Sequence, residues 1–340
     1  MYGTNSNPWE VLETDFPANG SEASQLHFLL NYAVLAPSRH NSQPWRFRVE
    51  HTTVELYADR SRRLPAVDSD DRELIISCGA ALENLLIAMR YFGYAPGIDI
   101  RPYPHDPDLL ARVRFNKGTE ATREERKLFH AIQKRRTNRH LFEEREVPAS
   151  LIFALEGIAI QQGTSFQVVP EEMRPAVMNL IVTADRQLWS DSHYRQELAA
   201  WTRPGRGDRR DGVPEDALGK EDLAASLNPP LIRSLILHDE TAKHQRVASG
   251  STVLAVISTY ADSWFDWLAA GQALEKMLLL ARSEEVWASF FNQPIEVPAL
   301  RKELRDILER KDFPQMVLRM GYGPEVPPTP RRAVEEVLLQ

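Results

Sequence analysis

The sequence of 340 residues predicts an α+β protein built from two related halves. Segments with apolar residues at helical spacing alternate along the chain with short segments of strand-like alternation, which favours a mixed architecture. Two segments from the first part of the chain recur in the second part. Such internal repetition indicates a duplicated structural unit.

The stronger repeat is a helical motif. CGAALENLLIAM begins at Cys78 and AGQALEKMLLLA at Ala270, and the positions identical at one offset are Gly79/Gly271, Ala81/Ala273, Leu82/Leu274, Glu83/Glu275 and Leu86/Leu278. Helices rich in Ala, Leu and Glu resemble one another by composition, so this match alone leaves chance similarity open. LHFLLNYAV at 26–34 also matches LIFALEGIA at 151–159, and each leads through a loop into a short strand. The two matches together favour duplication.

These patterns predict the elements of each half in chain order. For residues 1–120 we expect a helix, a loop and a strand near 21–57, a core helix near 71–92, and a strand near Val113. For residues 121–340 we expect helices near 124–136 and 149–160, a strand at 165–169, helices near 172–200, 252–262 and 265–282, and a strand near 315–320. Both halves therefore combine helices with strands.

Composition narrows the functional classes. The chain is 43% hydrophobic and 26% charged, as soluble globular proteins are. A net charge of −7 argues against nucleic-acid binding, although a local arginine cluster can still bind one small anion. Cys78 is the only cysteine, which excludes an intrachain disulfide and a cysteine-based zinc site. The start of the chain is neither basic nor apolar, and no run reaches the ~18 apolar residues of a membrane helix, so we expect a cytoplasmic protein without a membrane segment.

A dense polar loop follows the first predicted helix, in PSRHNSQPWRF at 37–47. Pro37 ends that helix because it has no backbone N–H and clashes with the preceding turn. Six residues with hydrogen-bonding side chains follow, before Trp45 and Phe47 resume strand-like alternation. This loop is a candidate ligand-binding segment.

Arginines gather in two places. KRRTNRH at 134–140 ends a predicted helix, and PPTPRR places two arginines behind prolines that keep the backbone extended. Cations at a helix C-terminus can stabilise the helix by up to about 1 kcal/mol, so a solvated helix end remains an alternative for the first cluster. Because the planar guanidinium group donates forked hydrogen bonds, the two clusters together are candidates for clamping a phosphate.

The segment WTRPGRGDRRDGVPEDALGKED at 201–222 contains four glycines and two prolines. A structureless segment of this length inside a compact domain is usually disordered or a functional lid, and we favour the lid. Its GRGDRR stretch lacks the third glycine that a dinucleotide-binding fingerprint needs.

In combination, these motifs resemble those of the nitroreductase-like flavoproteins. APSRHNSQPWRF resembles the helix-to-strand loop of that superfamily, RRTNRHLF resembles its flavin-phosphate arginine motif, and PPTPRR resembles its C-terminal phosphate arginines. The likeness covers most of the chain, and the order of the motifs is more specific than any one motif. DRRDGVP, and AGQALEKMLLLA followed by FFNQPIEVP, resemble the Acg-type branch, which is named after a mycobacterial protein.

The resemblance implies a nitroreductase-like fold of mostly antiparallel sheets surrounded by helices. Ordinary members are homodimers that bind flavin mononucleotide (FMN) between subunits, with the arginine motif from one subunit and the polar loop from the other. Here the loop lies in the first half and the arginines lie in the second. We therefore expect a fused pseudo-dimer, monomeric in solution, with one FMN per chain. The mirror-related site should be inactive, because its loop is only IQQGTS and no RRxxR precedes Leu26.

The same resemblance implies the residues that contact FMN, which are Pro37, Ser38, Arg39, Asn41, Arg135, Arg136, Thr137, Arg139, Asn292, Arg331 and Arg332. The FMN phosphate is expected to contact Arg135, Arg136, Thr137, Arg331 and Arg332. Arg139 is expected at the N1 and C2 edge of the ring, where reduction places negative charge. Residues 37–41 are expected to close over the dimethylbenzene and ribityl side.

The contact to flavin N5 is expected between Ser289 and Gln293. Family members often have a glycine-containing turn there, whereas ASFFNQP has none. Trp287, Phe290 and Phe291 are therefore alternatively core residues.

The resemblance implies an FMN-dependent oxidoreductase that accepts electrons from NAD(P)H and reduces nitroaromatic or quinone-like acceptors. No side-chain acid, base or nucleophile is needed, because the flavin carries the electrons. No metal site is expected, since the histidines form no HExxH motif or tight cluster. Two alternatives remain open. One is an FMN storage protein whose lid covers the flavin, and the other is an interaction module that keeps the fold without flavin.

Overall fold

The first half forms one antiparallel sheet with two helices. A computed structural model describes residues 7–103, 105–205, 209–217 and 253–339. The elements of this half are α1 (Glu22–Ala33), β1 (Trp45–Glu50), β2 (Thr53–Ala58), α2 (Arg72–Tyr91), β3 (Tyr94–Ile100) and β4 (Leu109–Lys117). The strand order is β1-β2-β4-β3, and each neighbouring pair is antiparallel.

The second half repeats this order around an insertion. Its helices are α3 (Arg123–Ile132), α4 (Ala149–Gln161), α5 (Arg174–Ser190), α6 (Ser192–Trp201), α7 (Trp264–Ser283), α8 (Gln293–Glu296), α9 (Pro298–Ile307) and α10 (Val334–Val337). Its strands are β5 (Thr164–Val168), β6 (Thr202–Arg203), β7 (Val213–Pro214), β8 (Val253–Thr259), β9 (Trp287–Phe290) and β10 (Phe313–Gly321).

The main sheet of the second half matches the first sheet strand for strand. Its order is β5-β8-β10-β9, again antiparallel throughout. By position in the chain, α4 and α7 correspond to α1 and α2. The predicted α+β fold class is confirmed. The predicted boundary at residue 120 lies between β4 and α3, and its role as a domain boundary stays a prediction.

The predicted helix at 252–262 is wrong, because Val253–Thr259 is β8, a central strand of the second sheet. Val253, Ala255 and Ile257 pack with α4 and α7 on one face, while Leu254 and Val256 pack with α5 and α9 on the other. A strand buried on both faces is continuously apolar, so its sequence has no period that separates it from a buried helix. The β-branched residues were the remaining signal for a strand.

The predicted helix at 172–200 is two helices. Asp191 separates α5 from α6, and its side chain accepts a hydrogen bond from the backbone N–H of His193. An aspartate in this position caps the second helix and favours a break in the chain direction.

The two halves meet where α2 crosses α7. A Cβ atom on Gly79 would lie 2.2 Å from the carbonyl oxygen of Leu268, and one on Gly271 would lie 2.0 Å from that of Ile76. The glycines shared by the two copies of the helical motif therefore form the crossing point, because only glycine leaves room for backbone-to-backbone contact.

The length and composition of helix α2 differ from the expectation that no segment is long and apolar enough to span a membrane. Among the described residues it is the one helix long and apolar enough by length and composition, and 89% of its apolar window is buried inside the protein. Its packing against α7 gives it the place of a core helix.

We expect Gly79→Ala to destabilise the protein by about 1–3 kcal/mol, because the added methyl group meets backbone that cannot rotate away. The measurement is the midpoint of urea unfolding followed by circular dichroism. Gly157→Ala on α4 is the matched control, since a Cβ there meets nothing within 4 Å. Its midpoint should be unchanged or slightly raised, and equal midpoints for the two variants would contradict the tight crossing.

Candidate functional site

A cavity of about 240 Å³ lies between the two halves. The first half contributes the polar loop at 37–41, and the second half contributes residues of the arginine segment at 135–140 and of the extended segment at 326–331. Ile76 and Ala80 of α2 and Leu274 of α7 add apolar surface. These three residues flank the glycine crossing, so the cavity lies directly beside the contact between the halves.

The structure places all the predicted site residues except Arg332 along this cavity. The Arg332 guanidinium donates instead to the carbonyl oxygens of Gln43, at 3.3 Å, and Glu336, and it lies 3.8 Å from Asp59 Oδ2. Neighbouring side chains of an extended segment point to opposite sides. Arg331 therefore faces the cavity while Arg332 faces away from it.

The polar loop has a strained backbone. His40, Asn41 and Gln43 have φ angles of 51°, 53° and 51°, in the left-handed region. This conformation costs roughly 1 kcal/mol or more for a residue other than glycine, and Asn tolerates it best. Within the loop, Ser38 Oγ accepts a hydrogen bond from the backbone N–H of Gln43 at 2.9 Å. Burial, with the neighbouring cations, lowers the pKa of His40, so its imidazole is neutral.

Asn41 joins three segments of the chain. Its Nδ2 donates to the carbonyl oxygens of Gly212, at 2.9 Å, and Pro330, at 3.0 Å. Its Oδ1 accepts from Arg331 at 2.8 Å. The loop of the first half is thus bonded to both the insertion and the C-terminal arginine segment of the second half.

Arg135, Arg136 and Arg331 form a cation cluster beside the loop, in which Arg135 and Arg331 are buried and Arg136 is half-buried. Arg135 and Arg331 donate to the carbonyl oxygen of Leu35, just after α1, at 2.9 and 3.3 Å. The Nε atoms of all three arginines are buried without a hydrogen-bond partner. Burial lowers the pKa of each, to about 9 for Arg136, and the neighbouring cations lower it further for Arg136 and Arg331. Glu275 Oε1, 3.4 Å from Arg135 Nε, supplies one countercharge to the three cations. Such a cluster favours a further anion, because buried cations are unstable without sufficient countercharge.

Sequence reasoning missed Trp9, which packs on this cluster. The guanidinium carbons of Arg136 and Arg331 lie 3.8 and 5.2 Å from the centre of its ring. Its Nε1 donates to the carbonyl oxygen of Thr329 at 2.8 Å. A single tryptophan in NPWE gives no periodic signal, so its place near the arginines depends on tertiary structure alone.

A roof over the cavity comes from the insertion between β5 and β8. Its lining residues are Asp185 and Trp189 of α5, Tyr194 and Leu198 of α6, and Val213 and Ala217 of the following segment. The first half has no equivalent, because β1 and β2 are joined by a tight turn at 51–52. Sequence reasoning missed the part played by α5 and α6, whose helical patterns do not report where they pack.

The described part of the predicted lid is bonded to both halves. Gln43 Nε2 of the first half donates to the Arg210 carbonyl oxygen at 2.8 Å, and Arg139 of the second half donates to that of Ala217 at 2.7 Å. Residues 201–205 and 209–217 of the lid are described, while 206–208 and 218–222 lie outside the described residues. The described segment therefore crosses the cavity from one half to the other.

Two predicted residues also have structural partners. Arg39 lies 2.8 Å from Glu296 Oε1, and burial raises the pKa of that carboxyl group. Asn292 Oδ1 accepts from the backbone N–H of Val317 at 3.0 Å and so holds β10 near its bulge. Both side chains line the cavity, and their contacts hold neighbouring segments of the cavity wall in place.

The segment expected to reach flavin N5 is largely paired. The backbone N–H of Phe291 donates to the carbonyl oxygen of Val317 at 2.9 Å, and Ser289 and Phe290 belong to β9. Trp287 and Phe291 are buried, whereas the partly exposed Phe290 lines the cavity, as Phe291 also does. Within the described ranges, no three His, Cys, Asp or Glu side chains are arranged to hold a metal ion.

Fold and site together define an α+β protein with a roofed, arginine-lined cavity between two related halves. No family model matches the sequence. The Acg protein of Mycobacterium tuberculosis, provisionally named an NAD(P)H nitroreductase, is 30% identical over 309 residues, covering 90% of this chain and 92% of that protein. Rv3131 of the same organism has the same provisional name and is 30% identical over 333 residues, covering 96% and 94%. The chain belongs to the nitroreductase family, in the branch of Acg, as its motifs predicted.

Solved structures are more distant relatives. A protein of Anabaena variabilis that is provisionally named a nitroreductase aligns with a TM-score of 0.46 and 10% identity, over 93% of this chain and 91% of that chain. The FMN-dependent nitroreductase NfnB of Mycobacterium smegmatis, solved with NADPH, aligns with a TM-score of 0.36 and 15% identity, over 62% and 92%.

We expect Asn41→Ala to expose the lid segment to protease, because it removes the side-chain bonds to Gly212 and Pro330. One or two hydrogen bonds of about 1 kcal/mol each would raise tryptic cleavage after Arg209 and Arg210 roughly five- to thirtyfold. Mass spectrometry of timed digests measures the rate. Asn31→Ala is the control, since Asn31 bonds only locally to the Phe28 carbonyl oxygen of α1. Equal cleavage rates in the wild type and Asn41→Ala would show that the lid is held by other contacts.

Proposed function

We propose that the protein is an FMN-binding oxidoreductase that takes electrons from NAD(P)H and passes them to a nitroaromatic or quinone-like acceptor. The observation that carries the proposal is the cation cluster of Arg135, Arg136 and Arg331 inside a roofed cavity between the halves, with Arg135 and Arg331 buried. The names of the relatives support the electron donor and the reaction class. The FMN dependence of structural neighbours such as NfnB supports the cofactor.

The residues present fit the phosphate of FMN. The buried guanidinium Nε atoms of Arg136 and Arg331 have no hydrogen-bond partner, whereas that of Arg135 lies 3.4 Å from Glu275 Oε1. A phosphate has oxygen atoms to accept from the unpartnered donors. Its negative charge would offset the mutual repulsion of the three cations. Thr137 lines the same cavity and adds a hydroxyl donor.

The remaining assignments follow from the resemblance to nitroreductase-like flavoproteins, and the residues concerned line the same cavity. When bound, FMN supplies reversible two-electron redox chemistry. Arg139 would place a positive charge at the N1 and C2 edge and stabilise the reduced state, while residues 37–41 would cover the dimethylbenzene and ribityl side. Trp189 and Tyr194 would exclude water from the ring, and Asn292 would lie near N5.

One cofactor per chain and a monomeric protein are part of the proposal. The mirror-related loop, between α4 and β5, is a short turn with Gly163 at a φ angle of 68°. It lacks the arginine, histidine and asparagine side chains that the loop after α1 carries. A second FMN per chain, found by measuring the flavin-to-protein ratio, would contradict this proposal.

A storage role is the second candidate, and the roof favours it. The described lid segment is bonded to Gln43 of one half and Arg139 of the other, across the cavity. If this closed arrangement persists with FMN bound, a nicotinamide cannot approach the ring, and the protein would hold flavin with little turnover.

We expect Arg136→Ala to weaken FMN binding about ten- to a hundredfold, because it removes a charged donor from the phosphate site. Quenching of FMN fluorescence on titration with apoprotein measures the affinity. Arg332→Gln is the matched control, since Arg332 faces away from the cavity, and its affinity should stay within about threefold of the wild type. Circular dichroism checks that both variants fold. Unchanged affinity in Arg136→Ala would remove the arginine cluster from the flavin site.

Anaerobic titration of the holoprotein with NADPH and NADH separates the two candidate functions. Bleaching of the flavin absorbance, followed by its return on adding a quinone or nitroaromatic acceptor, supports the oxidoreductase. Flavin that is tightly bound but not reduced supports storage. A purified protein that neither carries nor binds FMN would contradict both and would favour an interaction module.

A further inference from the structure

Glu275 is a fully buried carboxylate behind the arginine cluster. It lies on α7, in the repeated helical motif, and its Oε1 is 3.4 Å from Nε of Arg135. Neither of its oxygens has a hydrogen-bond partner among the described residues. A buried ionised carboxylate without hydrogen bonds is unfavourable, so its stability depends on the neighbouring cations.

The equivalent residue of the first half has different neighbours. Glu83 occupies the same position of the motif on α2 and is 2% exposed. It accepts a hydrogen bond from Gln272 at 3.3 Å, and the cations acting on it are Arg90 and Lys276. The duplicated unit thus buries a glutamate twice, but only Glu275 lies against the arginine cluster.

The groups that face Glu275 come from three parts of the fold. Arg135, from the segment after α3, and Arg331, from the C-terminal segment, favour its ionised form, and the Asn84 side chain of α2 favours that form as well. Burial and the nearby Glu83 oppose ionisation. Burial dominates and raises the pKa of Glu275 to about 7.

A phosphate at the cluster changes this balance. It brings one to two negative charges to the guanidinium groups that stabilise ionised Glu275, and like charges in a buried site disfavour joint ionisation. We propose that Glu275 is the internal counter-ion of the phosphate site and takes up a proton when the phosphate of FMN binds. This inference rests on the proposed function, because it requires that phosphate to lie at the arginine cluster.

Proton uptake by Glu275 makes the affinity for FMN depend on pH in one direction. Glu275 would be protonated in the bound state and ionised in the empty protein above about pH 7, so binding takes up a proton in that range. Affinity for FMN should therefore fall as pH rises, by at most tenfold per pH unit for one proton. Between about pH 6.5 and about pH 8.5 we expect a total loss of about five- to twentyfold. Ionisation of the phosphate, with its second pKa near 6, acts in the opposite direction.

The test is the pH dependence of FMN binding to apoprotein, followed by flavin fluorescence, for the wild type, Glu275→Gln and Glu83→Gln. Glutamine has the shape of a protonated glutamate, so Glu275→Gln should keep the low-pH affinity over the whole range. Glu83→Gln is the comparison variant. Affinity should still fall as pH rises, but the fall should be shifted to lower pH, because removing the Glu83 charge favours ionisation of Glu275. Riboflavin, which has no phosphate, should bind the wild type without this loss.

Calorimetry of the wild-type protein gives a measurement that needs no variant. Titration with FMN near pH 7.5, in two buffers of different ionisation enthalpy, should give an uptake of a substantial fraction of one proton. If the wild type binds FMN with no proton uptake, or if Glu275→Gln keeps the wild-type slope, the role of Glu275 is wrong while the proposed function stands. A wild-type protein that binds no FMN at any pH would overturn both.

Discussion

The backbone contact between α2 and α7 is the constraint on which the site depends. Gly79 and Gly271 allow the helices to approach until their Cα atoms nearly touch the opposite backbone, and a close-packed contact of this kind has little freedom to shift. Ile76, Ala80 and Leu274, which line the cavity, lie within one turn of those glycines. The distance between the two halves of the site is therefore set at the crossing rather than by the loops.

The two halves differ in the segments that could bind a ligand, and this asymmetry explains why the polar loop and the insertion meet at one cavity. Corresponding elements surround both ends of the helix pair, but the loop after α1 is long and polar, whereas the loop after α4 is a short glycine turn. Conversely, the insertion that forms the roof follows β5 and has no equivalent after β1. The left-handed residues of the polar loop are held by bonds to Gly212, Pro330 and Arg331, so the second half stabilises a conformation that the first half alone would not favour.

Features that depend on neighbouring residues could be predicted from the sequence, whereas features that depend on tertiary packing could not. Helical periodicity, the repeated motif and the two arginine clusters were readable because each depends on neighbouring residues. The strand at 253–259 was mistaken for a helix because burial on both faces erases its period. Arg331 and Arg332 are adjacent and chemically identical. Which of the two side chains faces the cavity depends on the direction of the backbone, which the sequence does not show. Trp9 gave no signal at all, whereas Glu275 gave one, a charged residue shared by both copies of an apolar helix.

The arginine cluster connects ligand binding to the joining of the halves. Arg135 and Arg331 already donate to the Leu35 carbonyl oxygen, and Arg331 to that of Ala36, so they hold the arginine segments of the second half against the end of α1. These bonds satisfy donors, but Glu275 offsets only part of the charge of the three arginines, and their remaining repulsion weakens the same contacts. An anion that reaches the unpartnered Nε atoms reduces that repulsion without displacing the carbonyl bonds. Binding of such an anion and adhesion of the two halves should therefore strengthen each other, with Glu275 supplying part of the countercharge when the anion is absent.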